Sequence, residues 1–187
     1  LCRLLTTNLR RRGKYREYID DDYIEKLTRV SPLHDIGKVG IADKILLKPG
    51  RLTAIEFELM KTHTTIGAKT ILEVKEKFPD NRLLELAINI TNFHHERWDG
   101  AGYPLGLAGT EIPLSARIMA IVDVYDALRS KRVYKEAFSH ENSLKIIQEE
   151  SGKAFDPEIV MDFLEIAEEV EKIFTQYEKP EACIAEG

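Results

Sequence analysis

Apolar residues recur along this chain three and four positions apart, which is the spacing of one face of an α-helix. Alternation of apolar and polar positions, the pattern of a half-buried strand, is scarce. The pattern therefore predicts an all-α fold. Helices are predicted at residues 1–12, from Asp20 to Val30, from Thr53 to Ile66, from Asp80 to His94, over 114–129, and from Asp156 to Phe174.

Several of the predicted helix starts carry residues suited to capping. Asp20 opens a run of three aspartates, placed where the positive end of a helix dipole lies. Thr53 and Glu56 have the spacing of a capping box. Asp80 is a candidate N-cap, and Asp156 is an N-cap followed by proline at the first helical position. The first predicted helix has no cap, as if the chain had been cut inside a helix.

The chain has no internal repeat, and its 187 residues suit one domain with a buried core. We predict a single domain over residues 1–177 and an acidic, disordered C-terminal tail over 178–187. No apolar run approaches the roughly 18 residues of a membrane helix. The two cysteines, Cys2 and Cys183, match no metal or redox spacing. A reducing cytoplasm is favoured, with a disulfide between them as the alternative. The net charge of −5 argues against a nonspecific nucleic-acid binder.

The histidines give the first indication of chemistry. His34, His63 and His94 each fall on the inward stripe of a different predicted helix, and Asp123 lies among alanines on one face of a fourth. Pro32 predicts a kink or helix restart just before the first of them. A single histidine on an apolar face is usually a core residue. Three, together with an inward carboxylate, favour a metal site in the core of a helix bundle.

The sequence neighbours of these residues strengthen that interpretation. Asp35 directly follows His34, so the two side chains can bind adjacent metals, with the carboxylate bridging the two ions. His95 directly follows His94. Imidazoles and carboxylates suit divalent iron, manganese, nickel or zinc, and the absence of thiolates argues against a structural zinc site. His140 falls at a helix start outside these groups, and we predict it to lie on the surface.

Four sequence segments occur in one order at compact spacing: LHDIGK at 33–38, MKTHTTIG at 60–67, HHERWDGAGYP at 94–104 and DVYDAL at 123–128. Together they closely resemble the HD-GYP family of the HD phosphohydrolase superfamily. The resemblance continues through ILLKPGRLT at 45–53, SKRVYKEAF at 130–138 and SGKAFDP at 151–157. It covers nearly the whole chain, to about residue 175.

The resemblance implies an HD-superfamily helical bundle with two or three divalent ions, iron or manganese, in its core. It implies a phosphodiesterase that hydrolyses the bacterial second messenger cyclic di-GMP to linear pGpG, to GMP, or to both. The metal ligands carried over by motif are His34, Asp35, His63, His94, His95 and Asp123, with Asp35 bridging the ions.

The resemblance also implies residues that contact the substrate. Lys38 matches a phosphate-binding lysine and is assigned a catalytic role together with Asp35. Arg132 and Lys135 match a basic pair that grips the phosphodiester, although Lys135 also suits a solvated surface position. Gly102, Tyr103 and Pro104 form a loop associated with shaping the pocket and with docking onto GGDEF-domain cyclases.

The chain departs from the family pattern at its start. The family has a further histidine ligand upstream of the His-Asp pair, and residues 1–33 contain no histidine. We expect an N-terminally truncated domain, preceded in the full protein by a sensory or receiver domain; true loss of the ligand is the alternative. The oligomeric state stays open. The rival functions are a catalytically weak module that binds a cyclic dinucleotide or a GGDEF cyclase, and a phosphohydrolase acting on another nucleotide, cyclic GMP-AMP included.

Overall fold

The structure, a computed structural model, describes residues 1–130 and 137–178. Within these ranges the chain is all-α and forms no β-sheet, as predicted. The helices are α1 (Cys2–Arg12), α2 (Asp21–Val30), α3 (Asp43–Leu46), α4 (Ala54–Lys61), α5 (His63–Lys75), α6 (Arg82–Phe93), α7 (Leu114–Arg129), α8 (His140–Glu149), α9 (Pro157–Glu165) and α10 (Ala167–Glu178). Short 3-10 helices occupy Ser31–Leu33, Ile36–Gly40 and Gly109–Glu111.

The core forms around α7, which packs against α1, α6, α8 and α9. Its apolar residues Ile118, Ile121 and Tyr125 are fully buried, as the helical spacing predicted. Leu27 of α2 and Ile90 of α6 are equally buried on their predicted inward faces. Burial of this apolar surface is the main force that holds the helices together. None of the helices in the described part of the chain has the length and apolar character of a bilayer span.

Most of the predicted caps are present. The Asp20 side chain accepts from the backbone N–H of Tyr23, Thr53 and Glu56 form the capping box, and the Asp156 carboxylate accepts from the backbone N–H of Glu158. The prediction for Asp80 is wrong by one residue. Asn81 caps α6 instead, because its extended backbone directs its side-chain oxygen to the N–H of Leu83. Asparagine serves this position as well as aspartate.

Two predicted long helices are each divided in the structure. The helix predicted from Thr53 to Ile66 breaks at Thr62, between α4 and α5. Ile55 and Leu59 are 76% and 48% exposed, so their predicted inward placement is wrong. Because of the break, the buried face of α5 is not a continuation of an α4 face. The helix predicted from Asp156 to Phe174 is likewise divided, at Ile166, into α9 and α10.

The segment between α2 and α3 brings the His-Asp pair to the centre of the domain. Helix α2 ends at Val30, and Pro32 lies in a 3-10 helix, which confirms the predicted restart. The next 3-10 helix then runs so close to α5 that Gly37 has no room for a side chain. A Cβ atom there would lie 1.9 Å from the carbonyl oxygen of His63 and 2.5 Å from the backbone nitrogen of Gly67. This backbone contact places Asp35 beside His63.

The two cysteines differ in what the structure describes. Cys2 is buried in the core, and its Sγ lies 3.8 Å from Sδ of Met119. Cys183 lies outside the described residues, as does the predicted tail from residue 179 onward. The predicted domain end and the pairing of the cysteines therefore stay predictions.

Candidate metal centre and its pocket

Four separate segments bring their histidine and aspartate side chains together. Asp35 lies between the two consecutive 3-10 helices, His63 is the first residue of α5, and His94 and His95 directly follow α6. The ligand atoms of these four residues all lie within 4.8 Å of one another. Asp123 reaches the same place from the middle of α7. Three of the segments end or turn at the centre and α7 passes beside it, so short side chains suffice to form the cluster.

Asp35 lies at the centre of the cluster, with one carboxylate oxygen on each side. Its Oδ1 lies 3.3 Å from Nε2 of His63 and 3.9 Å from Nε2 of His94. Its Oδ2 lies 3.3 Å from Nε2 of His34, which is in turn 3.5 Å from Oδ1 of Asp123. His95 joins the His63 side, with its ligand atom within 4.8 Å of those of Asp35, His63 and His94. The six predicted ligands thus form two groups that share Asp35, an arrangement suited to a bridging carboxylate.

Three of the histidine rings are each fixed in orientation by a backbone carbonyl. In each ring Nδ1 lies within hydrogen-bonding distance of a carbonyl oxygen near the end of a helix. The distances are 2.8 Å from His34 to Ser31, 2.7 Å from His63 to Met60, and 2.8 Å from His94 to Ile90. Because a carbonyl only accepts, Nδ1 carries the proton and donates it. Nε2 then faces the cluster, as is usual for a histidine that binds a metal.

The buried atoms at the centre lack partners that the protein itself would supply. Oδ1 of Asp35, Nε2 of His63 and Nε2 of His94 are buried and make no hydrogen bond within the described part of the chain. A buried polar atom left in this state costs about 1–3 kcal/mol. A divalent cation accepts all three as ligands and removes that cost. The residues present therefore fit a divalent metal site.

The protonation states of the inner histidines favour metal binding. Burial, reinforced by the positive charge on His34, lowers the pKa of His94 to about 4. Burial also lowers the pKa of His63, and burial with the neighbouring His94 lowers the pKa of His95. These imidazoles are neutral at pH 7, and a metal ligand must be neutral to offer its lone pair.

The side of the cluster at His34 carries the positive charge that balances its two carboxylates. Burial disfavours the charged form of His34, but hydrogen bonds to Asp123 and Asp35 outweigh it and raise the pKa of His34 to about 10. Burial acts to raise the pKa of Asp35, but hydrogen bonds from His34 and Lys38 hold that pKa well below its usual value. Two carboxylates this close need positive charge beside them, which His34 and Lys38 supply in the protein alone.

The Gly102-Tyr103-Pro104 loop crosses directly over the His94-His95 pair. The backbone N–H of Tyr103 donates to the carbonyl oxygen of His95 at 3.2 Å, and the two rings stack with centroids 4.9 Å apart. A Cβ atom at Gly102 would lie 2.3 Å from the backbone nitrogen of Arg97, so glycine is required by this close approach. Burial raises the pKa of Tyr103, so its phenol stays neutral.

Glu96 positions the loop of the candidate site, a role that sequence reasoning missed. The residue is buried, with a relative exposure of only 3%, and its carboxylate accepts from the backbone N–H of Leu105 at 2.7 Å and of Leu107 at 3.0 Å. Glu96 thereby fastens the loop that carries Tyr103 to the segment that carries His95. The only signal in the sequence was a charged residue directly after the two histidines, which by itself indicates nothing about the loop.

We expect Glu96→Ala to release this loop. The substitution removes both acceptors and leaves two amide donors without their partners, at a cost of about 1–3 kcal/mol of unfolding free energy. Hydrogen exchange should accelerate at the Leu105 and Leu107 amides, measured by NMR or mass spectrometry. Glu111→Ala is the matched control, because Glu111 accepts from the Ala108 amide in the same loop and is exposed. Unchanged exchange at Leu105 in Glu96→Ala would contradict the role of the carboxylate.

A cavity of about 340 Å³ adjoins the cluster on the side of this loop. Four of the predicted site residues, His94, His95, Gly102 and Tyr103, line it. Ala120 of α7 also lines it, in agreement with small residues on that face of the helix. Phe57 and Lys61 of α4 line it as well, and the sequence pattern gave no indication of either.

Of the three predicted phosphate-binding residues, the structure describes only Lys38. The Lys38 ammonium donates to Oδ2 of Asp35 at 2.5 Å, so it lies at the edge of the cluster. Arg132 and Lys135 fall outside the described residues, and their role stays a prediction. Pro104 continues the loop after Tyr103 without lining the cavity.

The prediction for His140 is wrong. This histidine is buried at the start of α8, with Nδ1 at 2.8 Å from the Tyr125 hydroxyl and 3.3 Å from Oε2 of Glu171. The sequence placed it correctly at a helix start, but burial there depends on α7 and α10 packing over it. It lies apart from the metal cluster and joins three helices by polar contacts.

The fold and the cluster together define an all-α domain with a histidine-aspartate centre for divalent metal. A family model of the HD domain matches residues 16–159, and the chain belongs to this family. Family and cluster agree in indicating divalent metal binding.

Curated relatives share much of this domain. The chain is 49% identical over 164 residues, 87% of its length, to a "Probable cyclic di-GMP phosphodiesterase" of Vibrio cholerae. It is 44% identical over 152 residues, 81% of its length, to a "Cyclic di-GMP phosphodiesterase" of Thermotoga maritima. These matches cover 37% and 40% of the two relatives, so the chain spans well under half of their length.

A solved structure shares the fold. The cyclic GMP-AMP specific phosphodiesterase V-cGAP3 of V. cholerae matches with a TM-score of 0.55 at 18% identity. The match covers 91% of this chain and 42% of that one. At this identity the likeness concerns the fold alone.

Proposed function

We propose that this domain is a metal-dependent phosphodiesterase that hydrolyses cyclic di-GMP to pGpG, to GMP, or to both. The observation that carries the proposal is the cluster centred on Asp35, with three buried ligand atoms unpaired within the described residues, beside an open cavity. Relatives named cyclic di-GMP phosphodiesterases, 44% and 49% identical over most of this chain, support the substrate.

The donor set supports two ions, iron or manganese, with a third left open. His34 and Asp123 would hold one ion, His63, His94 and His95 the other, and Asp35 would contribute one oxygen to each. Nitrogen and oxygen donors without thiolate suit these metals. A pair of divalent ions lowers the pKa of a shared water and offsets the negative charge that develops on a phosphodiester.

The side chains around the cluster would position the substrate. Lys38 lies at the edge of the cluster, where its ammonium can donate to a phosphate oxygen and offset its charge. Tyr103 and His95, stacked on one another, form one wall of the cavity and hold the ester against the cluster. Arg132 and Lys135 would add positive charge from the segment after α7, which an acidic chain needs in order to bind an anion.

A second substrate is favoured by a specific observation. The chain is 43% identical over 141 residues to a V. cholerae protein named "3'3'-cGAMP-specific phosphodiesterase 2". Cyclic GMP-AMP therefore belongs in every assay beside cyclic di-GMP. The GGDEF partner, an upstream domain, a cytoplasmic location and an oligomer stay predictions from the sequence resemblance.

The deciding experiment is turnover of both cyclic dinucleotides by the full-length protein, which would include the upstream ligand expected from the resemblance, purified anaerobically and loaded with Fe²⁺ or Mn²⁺. Products separated by chromatography distinguish pGpG from GMP. Asp35→Asn is the control, because the neutral amide keeps the shape of the carboxylate and removes the charge that both ions would share. Equal turnover by Asp35→Asn, or no turnover by the metal-loaded protein, would reject the proposal.

A further inference from the structure

The cavity beside the metal cluster extends to a group of residues on α4 that the proposed reaction does not use. The Phe57 ring lies 6.5 Å from the Tyr103 ring, nearly perpendicular to it. The Lys61 ammonium lies 5.0 Å from the centre of the Phe57 ring and 5.4 Å from that of Tyr103. Two aromatic rings and a cation therefore meet in the lining of the cavity that His94 and His95 also line.

Lys61 has hydrogen-bonding capacity left for a ligand. Within the described residues its ammonium makes one hydrogen bond, to Oε1 of Glu58 at 2.7 Å. Glu58 is largely exposed and three residues away on the same helix, and such a pair is weak. Since an ammonium has three donors, two remain. Arg97, another cation of the cavity, is instead held by both oxygens of Asp99, at 3.1 and 2.8 Å.

We propose that Phe57, Lys61 and Tyr103 form a guanine subsite of this cavity, in which Lys61 selects guanine over adenine. The inference rests on the proposed function, since the phosphate of the same ligand would lie at the metal cluster. Aromatic side chains stack on any base and supply binding without selection. Guanine presents two acceptors, O6 and N7, along one edge, where adenine presents an acceptor and an amino donor. An ammonium at that edge therefore distinguishes the two bases.

The test measures GMP and AMP binding by calorimetry to Mn²⁺-loaded wild type, Lys61→Met and Lys75→Met. The two nucleotides share their phosphate, so the ratio of their affinities reports the base. Wild type should bind GMP about 10-fold more tightly than AMP, the range of one good base contact. In Lys61→Met the ratio should fall toward one, chiefly through weaker GMP binding. Lys61→Arg should keep the preference, because a guanidinium also donates to O6 and N7.

Lys75 is the matched control for Lys61. It pairs with Glu85 at 2.6 Å, its side chain is 23% exposed against 28% for Lys61, and it does not line the cavity. Lys75→Met should keep the wild-type ratio. Equal binding of GMP and AMP by wild type, no GMP binding, or an undiminished preference in Lys61→Met would each overturn the subsite. A GMP preference without turnover of cyclic di-GMP would reject the phosphodiesterase and leave the subsite standing.

Discussion

His94→Ala is expected to lower the hydrolysis of cyclic di-GMP by more than about 100-fold and to reduce bound metal. Loss of a residue that merely orients a metal ligand typically costs 10- to 100-fold, and His94 is assigned as a ligand itself. Its Nε2 lies 3.9 Å from Asp35, is buried, and makes no hydrogen bond among the described residues. The helical circular dichroism spectrum should stay near that of wild type, because this atom serves the ion more than the core.

Metal content and thermal unfolding, measured on the same samples, separate this role from a structural one. His140→Ala is the control, since His140 is also buried but contacts Tyr125 and Glu171 instead of the cluster. It should lower the free energy of unfolding by about 1–3 kcal/mol and keep the metal. Metal binding itself contributes to stability, so unfolding is compared for metal-free proteins. If the His94→Ala variant unfolds but still binds metal, His94 is a core residue and not a metal ligand.

Lys38→Met is expected to lower kcat/KM for cyclic di-GMP while the bound metal stays unchanged. The substitution removes a charge directed at the phosphate and keeps the aliphatic length of the side chain. Loss of one charge-assisted contact in a partly dry pocket costs on the order of 2–3 kcal/mol, roughly 30- to 200-fold. Metal is retained because divalent ions beside Asp35 offset the carboxylate charge that Lys38 balances in the protein alone.

Steady-state hydrolysis and elemental analysis of the same preparation decide this prediction. Lys48→Met is the matched control, because Lys48 also donates to a carboxylate at 2.5 Å, that of Glu56, and lies on the neighbouring segment away from the cluster. It should hydrolyse cyclic di-GMP like wild type. If Lys38→Met turns over substrate normally with its metals in place, the phosphate site lies elsewhere.

The helical class and most helix positions could be predicted from local rules. Asp20, Thr53 and Asp156 act as the caps that their residue types predict, since capping depends on a few adjacent residues. The breaks at Thr62 and Ile166 could not be predicted, because neither position carries a glycine or a proline and both continue a helical pattern. Helices there are divided by how their faces pack, which is a property of the assembled domain.

The histidines and aspartates of the centre could also be identified from the sequence, because their spacing and neighbours match a known family. Whether their atoms meet was decided by tertiary contacts, above all the approach of Gly37 to the backbone of His63, which sets Asp35 in place. The role of Glu96 depends on amides nine and eleven residues away, and that of Lys61 on a ring from another segment. His140 is buried only because two distant helices cover it. The sequence by itself determined which residues are candidates for the chemistry, since side-chain type and local spacing can be read from it. Only the tertiary structure decided which carboxylate holds the loop that carries Tyr103 and which side chains line the cavity. Those contacts join residues that are distant in the sequence, and no local pattern shows that they meet.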